Sequence, residues 1–358
     1  MRQSIIYLLL FLAAMCSCSP HDGSDFNHIE CNGVYYWKTV LELSPNDYNF
    51  MDRHKIYRIY LRMFDVTAES SSYTSSTFER VVPNASMRMS LNNYRVTIDS
   101  LNSMFIVPVV YITVDALKAA KGQEGELASH IVERVRRMCN YNDFIDVEGL
   151  QLDCDWTAAT EQSFFALCDS ARVQIAQKDL KWSLSSTIRL HQLARKAPPV
   201  DYGVLMVYNT GNFSDPNVRN SIIDIDDAEQ YLDYLDDYQL HLDVAYPTYS
   251  WQLLFRNIKF LGLMNGVNVT DTTRFTKFGK NSHRALCDIV HNGKIIRKGD
   301  VVRTEKSTSS EVQAVKEAIE RHLSGRKHCN IIFHFDQQNL SNYTANEIDK
   351  IYSTDSNN

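Results

Sequence analysis

Residues Gly149–Thr157 read GLQLDCDWT, with Gln151, Asp153 and Asp155 alternating with Leu150, Leu152 and Cys154. Period-two alternation is a strand signature, and it sorts the two sets onto opposite faces. One face is apolar. The other carries an amide and two carboxylates, with successive residues ~6.6 Å apart. A buried carboxylate is costly unless it is paired or used. Two neighbouring carboxylates also repel, which raises the pKa of one and leaves a proton-holding acid beside an ionised partner. Acid-assisted cleavage of a glycosidic bond needs that arrangement. No structural requirement calls for two acids side by side at the end of a buried strand, so Asp153 and Asp155 lead the candidates for chemistry.

Other runs bring polar groups to matching positions. KWSLSSTIRLH gives Thr187, Arg189 and His191 at period two, and YGVLMVYN gives Met206, Tyr208 and a terminal Asn209. Arg62 and Asp65 end one run, Tyr246 ends another, and IIFHFD offers His334 and Asp336. Trp37, Trp156 and Trp251 fall near strand ends, where an indole can stack on a sugar ring. Plainer readings exist for several. Arg62, Asp65, Arg189 and Asp336 equally suit structural ion pairs. His191 suits a hydrogen-bonded structural histidine, and Tyr208 suits plain core filling.

These residues need a scaffold that aims them at one place. Strand-like runs occur at 34–40, 55–66, 104–113, 148–156, 181–191, 202–209, 240–247 and 329–336. Helical periodicity appears at 125–140, 160–177, 227–238 and 309–325. Eight strands alternating with helices predict an α/β fold, a (β/α)8 TIM barrel over residues 34–352. A doubly wound sheet would bring a Gly-rich loop after its first strand, and TVLELSPND is not one. In a barrel, Leu150, Leu152 and Cys154 face the helices while the acids climb toward the mouth. Long connections at 67–103 and 252–308 rise from that same end. The second carries an Asn292-Gly293 hairpin signal and reads as a small insertion after strand seven.

The net charge of -6, without a basic stripe, argues against nucleic acid as a partner. The 11 histidines form no HExxH or His/Cys cluster, so neither a metal nor another cofactor is expected. Cys31, Cys139, Cys154, Cys168, Cys287 and Cys329 show no CxxC spacing, and most fall in apolar contexts suited to buried thiols. The front of the chain reads as a lipoprotein signal peptide over 1–18: Arg2, then an apolar run from Ile5 to Ala14, then AAMCSCSP. Cys18 follows the small Ser17 and is the expected lipidated residue, in preference to Cys16 after Met15. A polar tether over 19–33 follows. The expected product is a monomeric barrel held to a bacterial cell envelope by a lipid anchor alone, on a periplasmic or surface face.

EGLQLDCD resembles the strand-four signature of family 18 glycoside hydrolases, the chitinases and endo-β-N-acetylglucosaminidases, whose pattern is DxxDxDxE. Its four acids fall on Glu148, Gln151, Asp153 and Asp155. MVYN resembles the family's strand-six Met-x-Tyr-Asp/Asn, and many members carry an extra small domain after strand seven. The chain is also similar to lipoproteins of Bacteroidetes-type bacteria. The resemblance implies substrate-assisted hydrolysis of glycans, those containing N-acetylglucosamine among them. Asp155 would protonate the glycosidic oxygen, while Asp153 and Tyr208 position the N-acetyl nucleophile. Gln151, Trp156, Asn209, Arg189, His191, Tyr246, Trp37 and Asp336 would contact sugar.

The sequence also departs from the pattern. Asp155 stands where a glutamate is expected, and a ~1 Å misplacement can cost ~10²-fold in rate. Gln151 replaces an acid, IIFHFDQQ offers no tryptophan, and Arg189 and His191 have no place in the signature. Two readings follow: a hydrolase with Asp155 as general acid, and a glycan-binding lipoprotein with a degenerate site. A third is a different hydrolase built on Arg189, His191 and Asp155, which His191 within hydrogen-bond reach of a strand-four carboxylate would favour.

Overall fold

The structure, a computed structural model, describes residues 30–71 and 78–354. The leader, Cys16, Cys18 and most of the tether lie outside the described residues.

Eight parallel strands form the central sheet: β1 (Asn32–Tyr36), β2 (Ile56–Ser71), β3 (Phe105–Ile112), β4 (Gly149–Asp153), β5 (Ser183–Arg189), β6 (Tyr202–Met206), β7 (Leu242–Pro247) and β8 (Asn330–Phe333). β1 pairs with both β2 and β8, which closes the sheet into a barrel. Each strand corresponds to one of the eight expected runs. β1 begins at Asn32, two residues before the run from which it was read.

Two apolar layers hold the barrel. Leu150, Leu152 and Cys154 of β4 pack outward against Phe164, Leu167 and Cys168 of the helix Glu161–Gln177. The interior is filled by Tyr35, Tyr60, Val107, Val109, Tyr202, Val204, Met206, Ala245, Ile331 and Phe333. Such a filled interior leaves room for chemistry only at the mouth.

The helices at 124–141, 161–177 and 309–322 follow the apolar periodicity, and the third opens with a capping box between Thr308 and Glu311. The expected helix at 227–238 is a helix over Ile225–Leu232 followed by a 3-10 turn over Asp233–Leu235. The shorter helices Pro45–Arg53, Tyr94–Leu101, Val114–Ala119 and Ala345–Tyr352 went unread. Segments this short give a periodic pattern too little length to register. Their signals are local instead, such as the capping boxes Ser44–Asp47 and Thr344–Glu347.

The upper half of β2 continues past the barrel as a hairpin with Phe78–Asn84. After β7 the chain builds a five-stranded antiparallel sheet from Ser250–Arg256, Lys259–Met264, Phe275–Lys277, Ser282–Ala285 and Val301–Lys306. A separate hairpin turns at Asn292 (φ 48°) and Gly293 (φ 74°), the left-handed pair that a two-residue turn requires. Buried Arg303 and Glu305 tie this sheet to the loop after β6. Arg303 donates to the carbonyls of Asp215 (2.7 Å) and Phe213 (3.1 Å). Glu305 accepts from Ser221 and from Trp251 Nε1 (2.7 Å). The insertion thereby braces the segment that carries Asn209 and Thr210.

The approach of β4 to β5 leaves no space at Gly149. A Cβ there would lie 2.4 Å from Ser183 Oγ and 2.6 Å from the Ser183 carbonyl oxygen. Gly149→Ala should therefore cost ~1–3 kcal/mol of stability through overpacking, read as a lower denaturant midpoint. An unchanged midpoint would contradict this contact.

Candidate active site: a guanidinium between two carboxylates

β4 and β5 run in register, with Gln151 opposite Ser185 and Leu152 opposite Ser186. Their inward side chains consequently meet level by level. At the lowest level Gln151 Nε2 donates to Ser185 Oγ at 3.4 Å, while Tyr35 of β1 donates to Gln151 Oε1 at 2.7 Å. One level up, Thr187 Oγ1 donates to Asp153 Oδ1 at 2.6 Å. At the mouth, Arg189 Nε donates to Asp155 Oδ1.

Arg189 does more than meet Asp155. Its Nη2 donates to Asp153 Oδ1 at 3.0 Å, and its Nη1 donates to the Tyr208 hydroxyl at 3.1 Å. One guanidinium thus joins both acids and the phenol. Asp153 is buried to a side-chain exposure of 2%, whereas Asp155 keeps 46%. Burial pushes the Asp153 carboxyl above its ordinary range; Arg189 pulls it down and Asp155 pushes it up again. Burial works against the charge on Arg189, but Tyr208, Asp153 and Asp155 outweigh it and hold the guanidinium firmly protonated. Burial also raises Tyr208. Tyr111, beside Asp153 in the β3–β4 register, is pushed up to about 12, first by burial and then by the two acids.

Above this cluster opens a cleft of about 250 Å³ lined by Asp155, Arg189, Leu190, His191, Tyr208, Asn209, Thr210 and Tyr231. A larger groove, about 990 Å³, lies on the outer flank between residues 83–94 and the helix Glu124–Tyr141. It contains none of the mouth residues, so the smaller cleft is where the site's chemistry faces solvent. His191 lies in a short 3-10 turn after β5 and is exposed, with its partial burial lowering its pKa and Asp155 raising it. Asn209 adopts a left-handed conformation (φ 54°) and accepts a hydrogen bond from Tyr249 at 3.1 Å.

The remaining candidates spread out. Trp37 lies at the β1 end of the mouth, with Arg62 over its ring at 5.3 Å and Phe333 at 5.6 Å. Arg62 forms a two-bond ion pair with Asp65, 2.9 and 2.5 Å. Asp336 caps the helix Gln337–Leu340 and pairs with Lys38 at 2.7 Å. Burial alone would raise Asp336, but Lys38 and the Asn339 N–H hold it below the usual range. Glu148 sits at the opposite end of the barrel, gripped by Arg58 at 2.7 and 2.8 Å.

Two expected sugar contacts are overturned. Trp156 is fully buried, packed on Phe164 and Phe165 in the helix layer. The indole keeps the outward phase of Leu150, Leu152 and Cys154, so it points away from the mouth. Tyr246 is also fully buried in the outer layer, on the side of Glu320. On β7 the inward residue is Ala245. The same one-residue shift on β8 puts Phe333, rather than His334, in the interior. After Asn330, β8 is an apolar run that carries little phase, whereas β7 contains Asp243, two residues before Ala245 and on the same inward face, which marks the phase.

Phe333, Tyr249 and Tyr35 were not anticipated. Phe333 stacks on Tyr208 at 4.4 Å and lies 6.1 Å from Tyr249. Tyr35 had a usable signal, its period-two spacing from Trp37. Tyr249 had none, because it sits beyond the strand where the chain enters the insertion. Among the described residues, no group of three or more His, Cys, Asp or Glu could hold a metal ion, and no helix is long and apolar enough to cross a membrane.

The closed barrel and its filled interior define a (β/α)8 barrel, with a polar cluster at its mouth. Among solved structures the chain is similar to a chitinase from Chromobacterium violaceum, with TM-score 0.51 and 11% identity over 90% of this chain and 98% of that one. It is equally similar to the spore cortex-lytic enzyme SleL of Bacillus cereus, with TM-score 0.51 and 10% identity over 91% and 74%. At such identities the likeness is one of fold. No protein-family model matches the chain, and no curated protein matches it.

Two variants test this geometry. Trp156→Ala should lose ~3–5 kcal/mol of stability, as for other buried aromatics, while the barrel mouth keeps its shape. A surface-like cost below ~0.5 kcal/mol would contradict the burial. Arg189→Met leaves Asp153 buried without its cation, at a cost of ~3–5 kcal/mol near neutral pH. The folded pKa of Asp153 already lies above its unfolded value and rises further without Arg189. Its contribution is therefore retained below the unfolded pKa of ~3.9 and lost as pH climbs through the folded pKa. Denaturation of both proteins should show a stability gap that widens from pH 4 to pH 7, and a constant gap would contradict the pairing.

Proposed function

We propose that the mouth of this barrel binds glycans and does not cleave them. The observation that carries this reading is Arg189 bonded at once to Asp153, Asp155 and Tyr208. A guanidinium has donors and no acceptor, so each oxygen facing it is an acceptor. Substrate-assisted hydrolysis, as the family 18 resemblance implies it, needs Asp153 and Tyr208 turned toward an N-acetyl group. Here both are turned toward Arg189. The cluster is satisfied internally, which suits a fixed floor better than a proton relay.

The walls favour sugar. Tyr208 and Tyr231 offer rings, with Phe333 and Tyr249 packed against Tyr208, while Asn209, Thr210, His191 and the exposed part of Asp155 offer polar groups around them. Rings with a few convergent polar groups are the usual make-up of a small-molecule site. The substrate class we favour is oligosaccharides containing N-acetylglucosamine, on the strength of the strand-four and strand-six motifs. With the signal peptide over 1–18 and lipidation at Cys18, the barrel would act as a monomer anchored to a bacterial cell envelope, capturing glycan without touching nucleic acid.

One observation favours the hydrolytic alternative. Asp155 stays about half exposed at the cleft beside a buried acid of raised pKa, the pairing that glycosidases use. The two readings separate cleanly. The soluble chain should bind N-acetylglucosamine oligomers or N-glycans saturably and release no sugar, and Asp155→Asn should change the affinity less than about tenfold. Sugar release by the unsubstituted protein, abolished in Asp155→Asn, would replace this reading with the hydrolytic one.

A further inference from the structure

The barrel seam is held by the fewest register pairs of any interface between its strands. β1 and β8 meet only at Gly33↔Ile331 and Val34↔Ile332. Two residues before these pairs, just outside the two strands, stand Cys31 and Cys329. Ile331 and Phe333 face the interior, and Cys329 keeps their phase, with its Sγ 3.6 Å from Nη1 of the buried Arg58; Cys31 stands one residue before β1 at the same end of the barrel. The two cysteines are already in contact, for the Cys31 N–H donates to Cys329 Sγ at 3.3 Å. Neighbouring strands lie ~4.8 Å apart, inside the ~4.4–6.8 Å range of Cα separations that disulfides bridge.

We propose that Cys31 and Cys329 form a disulfide that staples the first strand of the barrel to the last. The two residues are 298 positions apart, so the bond would encircle nearly the whole barrel. Bridges across long loops restrict the unfolded chain the most in the loop-entropy account. The other cysteines have no such arrangement. Cys139, Cys154 and Cys168 are buried in the helix-side layer, and Cys287 is exposed on the insertion.

The chemistry is thiol–disulfide exchange with a small-molecule or protein disulfide. One cysteine thiolate attacks a sulfur of that disulfide and expels a thiolate. The second cysteine then attacks the mixed disulfide, forms the Cys31–Cys329 sulfur–sulfur bond and expels the other thiolate. Two electrons pass to the external disulfide, which ends as two thiols, and the two protons of the cysteines are transferred with them. Burial pushes Cys31 up to about 11, against the pull of Arg58, and raises Cys329 as well. Closed barrels therefore present little thiolate. The exchange belongs to folding, before β1 and β8 are sealed.

The test is oxidative refolding of the full chain in mixed oxidised and reduced glutathione, followed by alkylation, digestion and mass mapping without reduction. The expected result is a cross-linked peptide joining Cys31 to Cys329, with Cys139, Cys154 and Cys168 alkylated. Reduction should then lower the melting temperature of the oxidised chain by a few degrees and leave that of Cys31→Ser unmoved. Alkylation of both Cys31 and Cys329 after refolding, or their pairing with other cysteines, would overturn the proposal. The mapping on the unsubstituted chain stands even if Cys31→Ser fails to fold.

Discussion

A carboxylate placed inside a barrel must find a positive partner or give up its charge, and Asp153 meets that requirement through Arg189. The partner reaches it because β4 and β5 are paired at a fixed offset. Gln151 meets Ser185, Asp153 meets Thr187 and Asp155 meets Arg189, each 34 positions apart. A slip of one residue in either strand would turn the whole polar set toward the helices and bring Leu150, Leu152 and Cys154 inward. The polar ladder and the apolar outer face therefore specify the same register from opposite sides. With that register set, Arg189 reaches Tyr208 just after β6, and the cleft above the cluster takes its position from these three strands.

The rest of the mouth is arranged around this cluster. Tyr208 is held by Arg189 on one side and by Phe333 on the other. Tyr249 leaves β7 toward the insertion and bonds Asn209 on the way. The insertion returns the support through Arg303 and Glu305, which grip the loop running from Phe213 to Ser221. The cleft wall beyond β6 thus depends on two buried charges in a sheet whose strands belong to neither the barrel nor its helices. Loops carry sites well only when a rigid element fixes them, and here the insertion is that element.

How much of this was legible follows from where the sequence alternates. In β4 the acids mark the inward face unambiguously, so Gln151, Asp153 and Asp155 were placed correctly from their spacing, as was Arg189 on β5. β8 offers NIIF, a run with little contrast, and β7 offers LDVAYP, in which Asp243 marks the face of Ala245; both were read one residue out of phase. Tyr246 and His334 were consequently assigned to the interior in place of Ala245 and Phe333. Trp156 was misplaced for a different reason. A tryptophan after two mouth acids looks exposed, yet Trp156 keeps the outward phase of Leu150, Leu152 and Cys154 and packs with them in the helix layer. The closure of Arg189 onto both acids is a three-dimensional fact. Strand five showed that a cation was present, but only the register shows which carboxylates it takes.

The barrel thus carries its acids in a state already satisfied by the protein. A structure of the protein crystallised with an N-acetylglucosamine oligomer tests this most directly. The account predicts an intact oligosaccharide in the cleft over Asp155 and Tyr208, with Arg189 still bonded to both carboxylates. A cleaved sugar, with Arg189 displaced and Asp155 at the glycosidic oxygen, would contradict it.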